Sequence, residues 1–168
     1  MKKVISEAKE KFIAQFSGKS MQPTLKDGML LLVEKITPLE AKLADIILYQ
    51  NGKSLVAHRL IRIFKQNKKR IFVMRGDNHA YIDVSFIPED NLVGRVILAF
   101  TQDNPMKNLL IKNRIVELMY IITGNLLFWT RKNRKYIPFF LRLLFKPFVG
   151  SFFLILKKIT HFLYLLSR

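Results

Sequence analysis

The sequence predicts a mainly β, antiparallel domain followed by a basic, apolar helical tail, and three observations carry that reading. Short apolar runs of strand length recur between Met29 and Phe100, each bounded by a turn signal. One of those signals, Asn51-Gly52 between two apolar runs, is a strong hairpin cue. The third observation is a composition shift near Asp103-Asn104-Pro105: residues 1–103 carry a net charge of +6, whereas residues 104–168 carry +11 with Glu117 as their one acid.

The elements follow in chain order. Residues 3–16 place Ile5, Ala8, Phe12 and Phe16 at helical spacing, which predicts a short amphipathic N-terminal helix. Uncharged runs before Ser17 span only a few residues, too short for a signal-peptide core or a membrane span. Ser17 to Leu25 is a turn, with Gly18 permitting a positive φ and Pro23 fixing its own. Met29 to Ile36 is a strand entered through the turn Lys26-Asp27-Gly28 and closed by Pro38. Asp45 to Phe64 forms a hairpin about Asn51-Gly52. In its second strand a period of two sets Leu55, Ala57, Arg59, Ile61 and Ile63 on one face and Val56, His58, Leu60, Arg62 and Phe64 on the other. Lys65 to Arg70 is an exposed turn, Ile71 to Met74 a strand, and Leu92 to Phe100 a last strand with a bulge or close approach at Gly94.

The tail is dense in Phe, Leu and Ile, but its longest uncharged stretch near the start, Leu118 to Thr130, has 13 residues. A spanning helix wants about 20. Farther on, Arg142 and Lys146 interrupt the apolar stretch from Tyr136 to Leu156. A central Arg or Lys costs about 2.5–3.5 kcal/mol on insertion, against about −0.3 to −0.6 for each large apolar residue. Helices lying in an anionic membrane surface fit this composition better than spans or a soluble lid. The domains read as a catalytic-type core over 1–103 and a membrane-associated tail over 104–168. A total of 29 Lys and Arg against 12 Asp and Glu, net +17, calls for an anionic partner. The chain has no cysteine, which excludes disulfides, thiol catalysis and thiolate metal sites; three scattered histidines show no ligand spacing, so neither metal nor cofactor is expected.

Ser20 sits in the run Ser17-Gly18-Lys19-Ser20-Met21-Gln22-Pro23-Thr24-Leu25, and three further stretches follow in order: Asp45 to Tyr49, Val56-Ala57-His58-Arg59-Leu60-Ile61, and Arg75-Gly76-Asp77-Asn78 with Asp83 beyond. Together these four boxes resemble the type I signal peptidases and the related LexA-like self-cleaving peptidases. Most bacterial members carry a lysine base in the strand that here holds His58. Histidine, Gly-Asp-Asn and a second aspartate are the pattern of the endoplasmic-reticulum and archaeal branch. The resemblance spans roughly residues 15–100. It implies an antiparallel β catalytic core and a serine endopeptidase that removes signal or leader peptides after small residues at the cell membrane.

The chemistry it implies is consistent with the residue types. A serine hydroxyl is a weak nucleophile at neutral pH and needs a base; an imidazole with an ordinary pKa near 6.5 can accept that proton at pH 7. Ser20 is the candidate nucleophile and His58 the candidate base, with His79 as a rival. Asp77 or Asp83 would orient the base, Asp77 being favoured by its Gly-Asp-Asn context. The backbone N–H of Ser20 is the candidate oxyanion donor, and Met21 a candidate substrate contact. The competing reading is a non-catalytic basic module bound to membrane or nucleic acid. No helix-turn-helix, zinc-finger or RNP-like pattern supports specific nucleic-acid binding.

Overall fold

A computed structural model describes residues 9–79 and 85–101 and, in the tail, residues 118, 121–126, 128, 129, 133, 135, 155, 158 and 159. Its centre is one seven-stranded sheet: β1 (Lys11–Gln15), β2 (Leu30–Glu34), β3 (Ile46–Asn51), β4 (Ser54–Gln66), β5 (Lys69–Arg75), β6 (Ser85–Pro88) and β7 (Leu92–Phe100). The order across the sheet is β1-β2-β7-β3-β4-β5-β6, and every neighbouring pair is antiparallel. A single 3₁₀ turn, Glu89–Asn91, links β6 to β7.

Alternation along the central strands loads both faces. Ile46, Leu48 and Ala57 join Leu31, Val33, Val96 and Ala99 in one core. Ile47, Tyr49 and Leu60 join Phe72, Met74 and Ile87 in the other. The β3–β4 hairpin forms about Asn51-Gly52 with Gly52 at φ 60°, and Asn67 and Lys68, at φ 50° and 65°, close β4 onto β5 as a two-residue loop. At Gly94 the backbone closes up as expected: a Cβ there would lie 2.6 Å from the Glu34 carbonyl oxygen. The β3–β7 register slips beside it.

Two expectations change. The helix anticipated over 3–16 is a strand at Lys11–Gln15, because β2 offers it a pairing edge. Phe12 and Ala14 pack on the core while Ile13 is 59% exposed, a period of two that the helical spacing of Phe12 and Phe16 conceals. Residues 1–8 lie outside the described residues. In β4 a bulge between Leu60 and Arg62 resets the alternation, so Ile63 packs with Leu60 rather than with Ala57. Strand β6 has no counterpart in the sequence reading; Pro88 ends it and its apolar content is two residues.

Tail residues 118, 121–126, 128 and 129 are helical. Several contacts seat this helix on the sheet. Arg75 Nη1 donates to Thr123 Oγ1 at 3.0 Å, Phe128 meets Phe86, and the Arg62 guanidinium lies 5.0 Å above the Phe128 ring. Gly124 faces Ile61 so closely that a Cβ would come within 2.4 Å of it. Leu118, Ile122, Leu126 and Trp129 are exposed. Among the described residues no helix is long and apolar enough to cross a membrane.

Candidate active site

The loop between β1 and β2 carries Ser20, and its base is fixed by backbone pairing. Phe16 N–H donates to Met29 O at 2.7 Å, and Gly28 N–H to Phe16 O at 2.9 Å. Gly18, at φ 117°, reverses the chain and gives its N–H to Asp27 Oδ1 at 2.7 Å. Met21 and Leu25, both fully buried, root the loop in the first core, and Leu25 N–H donates to Met21 O at 2.9 Å. The expected substrate contact at Met21 is therefore corrected. A side chain with 0% exposure is an anchor that aims its neighbour, and it offers a peptide no surface.

His58 comes from the middle of β4, opposite Ile47, and is 7% exposed. Tyr49 pairs with Val56 two positions along, so Tyr49 and His58 are diagonal neighbours on one face of the hairpin. The Tyr49 hydroxyl lies 3.3 Å from His58 Nδ1. Burial pushes the phenol's pKa up, an effect that Ser85 of β6 partly offsets.

Gly76, just past β5, lies between the Ser20 turn and the His58 imidazole. A Cβ on Gly76 would lie 2.6 Å from the Ser20 carbonyl oxygen, 3.1 Å from His79 Nδ1 and 3.2 Å from His58 Nε2. Only a residue without a side chain lets the serine turn and the imidazole close on the same point. The Ser20 carbonyl oxygen and His58 Nε2 both flank that point. His58 thus turns Nε2 toward the serine turn and Nδ1 toward Tyr49.

Asp77 does not take the role expected of it. Its oxygens accept from Arg59 Nε at 2.8 Å, Arg59 Nη2 at 2.7 Å and Thr24 Oγ1 at 2.6 Å. This bidentate pair is nearly dry, with side chains 7% and 1% exposed. The carboxylate that sequence context favoured as the orienter of His58 instead ties β4 to the serine loop. The physical reason is alternation: Arg59 projects from β4 to the face opposite His58, and its buried charge demands an anion there. Asn78 completes the attachment, donating N–H to Ser20 O at 2.8 Å and Nδ2–H to Lys19 O at 2.9 Å.

His79 packs edge-on to His58 at 5.6 Å between ring centroids, and its buried Nδ1 makes no hydrogen bond among the described residues. Its carbonyl accepts from Arg75 at 3.0 Å. Asp83 lies outside the described residues. Sequence reasoning missed Arg59, Thr24 and Tyr49 as site residues. The available signal was the dipeptide His58-Arg59, in which adjacent strand residues must face opposite ways and a mid-strand arginine needs an acid.

Comparison with known proteins matches residues 1–97 to the Peptidase S24-like family. Signal peptidase I W of Bacillus subtilis (strain 168) is 35% identical over 75 residues, 44% of this chain and 40% of that protein. The signal peptidase complex catalytic subunit SEC11 of Candida tropicalis is 32% identical over 84 residues, 49% of each. The same-named subunit of Candida albicans (strain WO-1) is 31% identical over the same length. The chain spans half or less of the length of these relatives. With its seven-stranded antiparallel sheet and a family match covering more than half its length, the chain belongs to the Peptidase S24-like family.

Proposed function

We propose that this chain is a membrane-associated serine endopeptidase that cleaves signal or leader peptides after small residues, with Ser20 as nucleophile and His58 as general base. The observation that carries this reading is the convergence of the Ser20 turn and His58 Nε2 across Gly76. In the proposed reaction Ser20 Oγ attacks the scissile carbonyl carbon as its proton passes to His58 Nε2. The Ser20 backbone N–H stabilises the oxyanion. His58 then gives the proton to the departing amine, and water, activated by the same imidazole, releases the acyl group from Ser20.

Asp77 serves this chemistry by clamping the loop, so that the hydroxyl is presented in one place before substrate arrives. The tail, residues 104–168, supplies the membrane association. Its described helix docks through Thr123, Gly124 and Phe128, and Leu118, Ile122, Leu126 and Trp129 face outward at spacings of four, four and three. An outward stripe ending in Trp, followed by Arg131 to Lys135, has the composition of a helix seated at an anionic lipid surface.

The test is cleavage of a synthetic signal peptide by the full chain in anionic lipid vesicles, with the cut site read by mass spectrometry. The reading expects cutting after a small residue, lost in Ser20→Ala and in His58→Ala by a factor on the order of 10⁴–10⁶. Cleavage that persists in Ser20→Ala would end it.

A further inference from the structure

We propose that Arg75 is a positioning residue for the Ser20 turn, and that it acts through Thr123 of the tail helix. The proposal rests on the Ser20–His58 reading given above and concerns what holds its nucleophile in place. Arg75 ends β5 and is 2% exposed. Its guanidinium donates to the His79 carbonyl oxygen from Nε at 3.3 Å and from Nη2 at 3.0 Å. Nη1 donates to Thr123 Oγ1 at 3.0 Å, and Thr123 is buried as well. Because the guanidinium is a rigid plane, seating its donors on both groups fixes the His79 carbonyl relative to the helix.

That carbonyl belongs to the turn that carries Ser20's own contacts. His79 N–H donates to Gly76 O at 3.1 Å, which closes residues 76–79 as a turn. Within it, Asn78 donates N–H to Ser20 O at 2.8 Å and Nδ2–H to Lys19 O at 2.9 Å. A continuous chain of bonds therefore runs from Thr123 through Arg75 and the turn to the carbonyl of the nucleophile. Arg59, opposite Arg75 in the β4–β5 register, grips the same turn nearer its start through Asp77. Arg75 grips its end. Gly124 brings the helix close enough for this contact, since a Cβ there would strike Ile61 at 2.4 Å. Releasing the His79 carbonyl loosens Asn78, and with it the placement of Ser20 against His58 Nε2, where a shift of about 1 Å costs about 100-fold in rate.

The test compares Thr123→Val, which keeps the shape and removes the hydroxyl, with Thr123→Ser, which keeps the hydroxyl, and with Arg75→Lys. Each is made in the full chain, with thermal melting as a check of folding. The readouts are kcat and KM for a synthetic signal peptide in anionic lipid vesicles, and the amide exchange rate of Asn78 in detergent micelles. Thr123→Val should lose about tenfold or more in kcat with KM unchanged within about twofold. Its Asn78 amide should exchange about tenfold faster. Thr123→Ser should stay within about twofold of wild type in both readouts. Arg75→Lys, whose point charge cannot reproduce the fork, should move both at least as far as Thr123→Val, and it decides the matter if Thr123→Val fails to fold. Wild-type kcat and Asn78 exchange in folded Thr123→Val would overturn the proposal. So would a loss in Thr123→Ser as large as that in Thr123→Val, because packing rather than the hydroxyl would then be responsible. Cleavage by the wild type that persists in Ser20→Ala would instead bring down the Ser20–His58 reading, and the role of Arg75 with it.

Discussion

Replacing Asp77 separates two roles for that carboxylate. In the structure it is the anion of a buried pair, bidentate to Arg59, and it also accepts from Thr24 at 2.6 Å. Asp77→Ala leaves the Arg59 guanidinium buried against an uncharged gap. Removing one partner of such a pair costs about 3–5 kcal/mol, and a domain has only about 5–15 to lose. Thr24→Val removes one hydrogen bond to a charged acceptor and should cost about 1.5–3 kcal/mol. The two losses are not independent, because Thr24 has no Asp77 oxygen to bind once alanine is in place. Urea unfolding of the full chain and the variants, followed by far-UV circular dichroism, gives the single and double effects. Asp77→Ala is expected to be the more costly, and the double variant to fall short of the sum by most of the Thr24→Val loss. An Asp77→Ala protein that unfolds within about 1 kcal/mol of wild type, yet has lost activity by the factor expected of a base-orienting aspartate, would refute the clamp.

Other outcomes follow from the same geometry. Gly76→Ala would drive a methyl group into the Ser20 carbonyl oxygen at 2.6 Å and separate the turn from His58. Its kcat should fall by about 100-fold or more while the far-UV spectrum is retained. Gly124→Ala, whose Cβ would strike Ile61 at 2.4 Å, should destabilise the docked helix by about 1–3 kcal/mol, read as faster hydrogen exchange at residues 121–126. Glu40 has its carboxyl drawn down to about 2 by the Lys9 ammonium and by Thr37. Its folded pKa is depressed, so its contribution is full well above its unfolded value near 4.5 and is lost progressively as pH falls from there through about 2. An NMR titration of Glu40 should therefore show a midpoint near 2, which Lys9→Ala raises.

The β core was legible from residue pattern wherever the pattern had one interpretation. Asn51-Gly52 and the alternation from Ile46 to Leu60 specify the central hairpin and set His58 on a buried face. Pattern failed where tertiary pairing decides. Lys11–Gln15 is a strand because β2 is beside it, and the bulge at Ile61 shifts every residue after it to the opposite face. In the site, Ser20, His58 and the Gly76-Asp77-Asn78 box were legible as residues, but the partners of Asp77 were not. Which face Arg59 occupies, and that Thr24 reaches the same carboxylate from a loop 53 positions away, are consequences of the folded sheet. Tyr49 resembled any aromatic core residue until the register placed it beside Nδ1.

The most direct measurement of the central claim uses the absence of cysteine from this chain. Ser20→Cys introduces its sole thiol at the nucleophile position, and the alkylation rate of that thiol by iodoacetamide reports whether His58 can take its proton. An isolated thiol with a pKa near 8.5 is about 1% thiolate at pH 6.5, whereas an imidazole partner lowers that pKa to within about 3.5–7.5. The account predicts alkylation at pH 6.5 at least about tenfold faster in Ser20→Cys than in the Ser20→Cys, His58→Ala double variant. Equal rates in the two proteins would contradict it, because His58 would then have no hold on the proton at position 20.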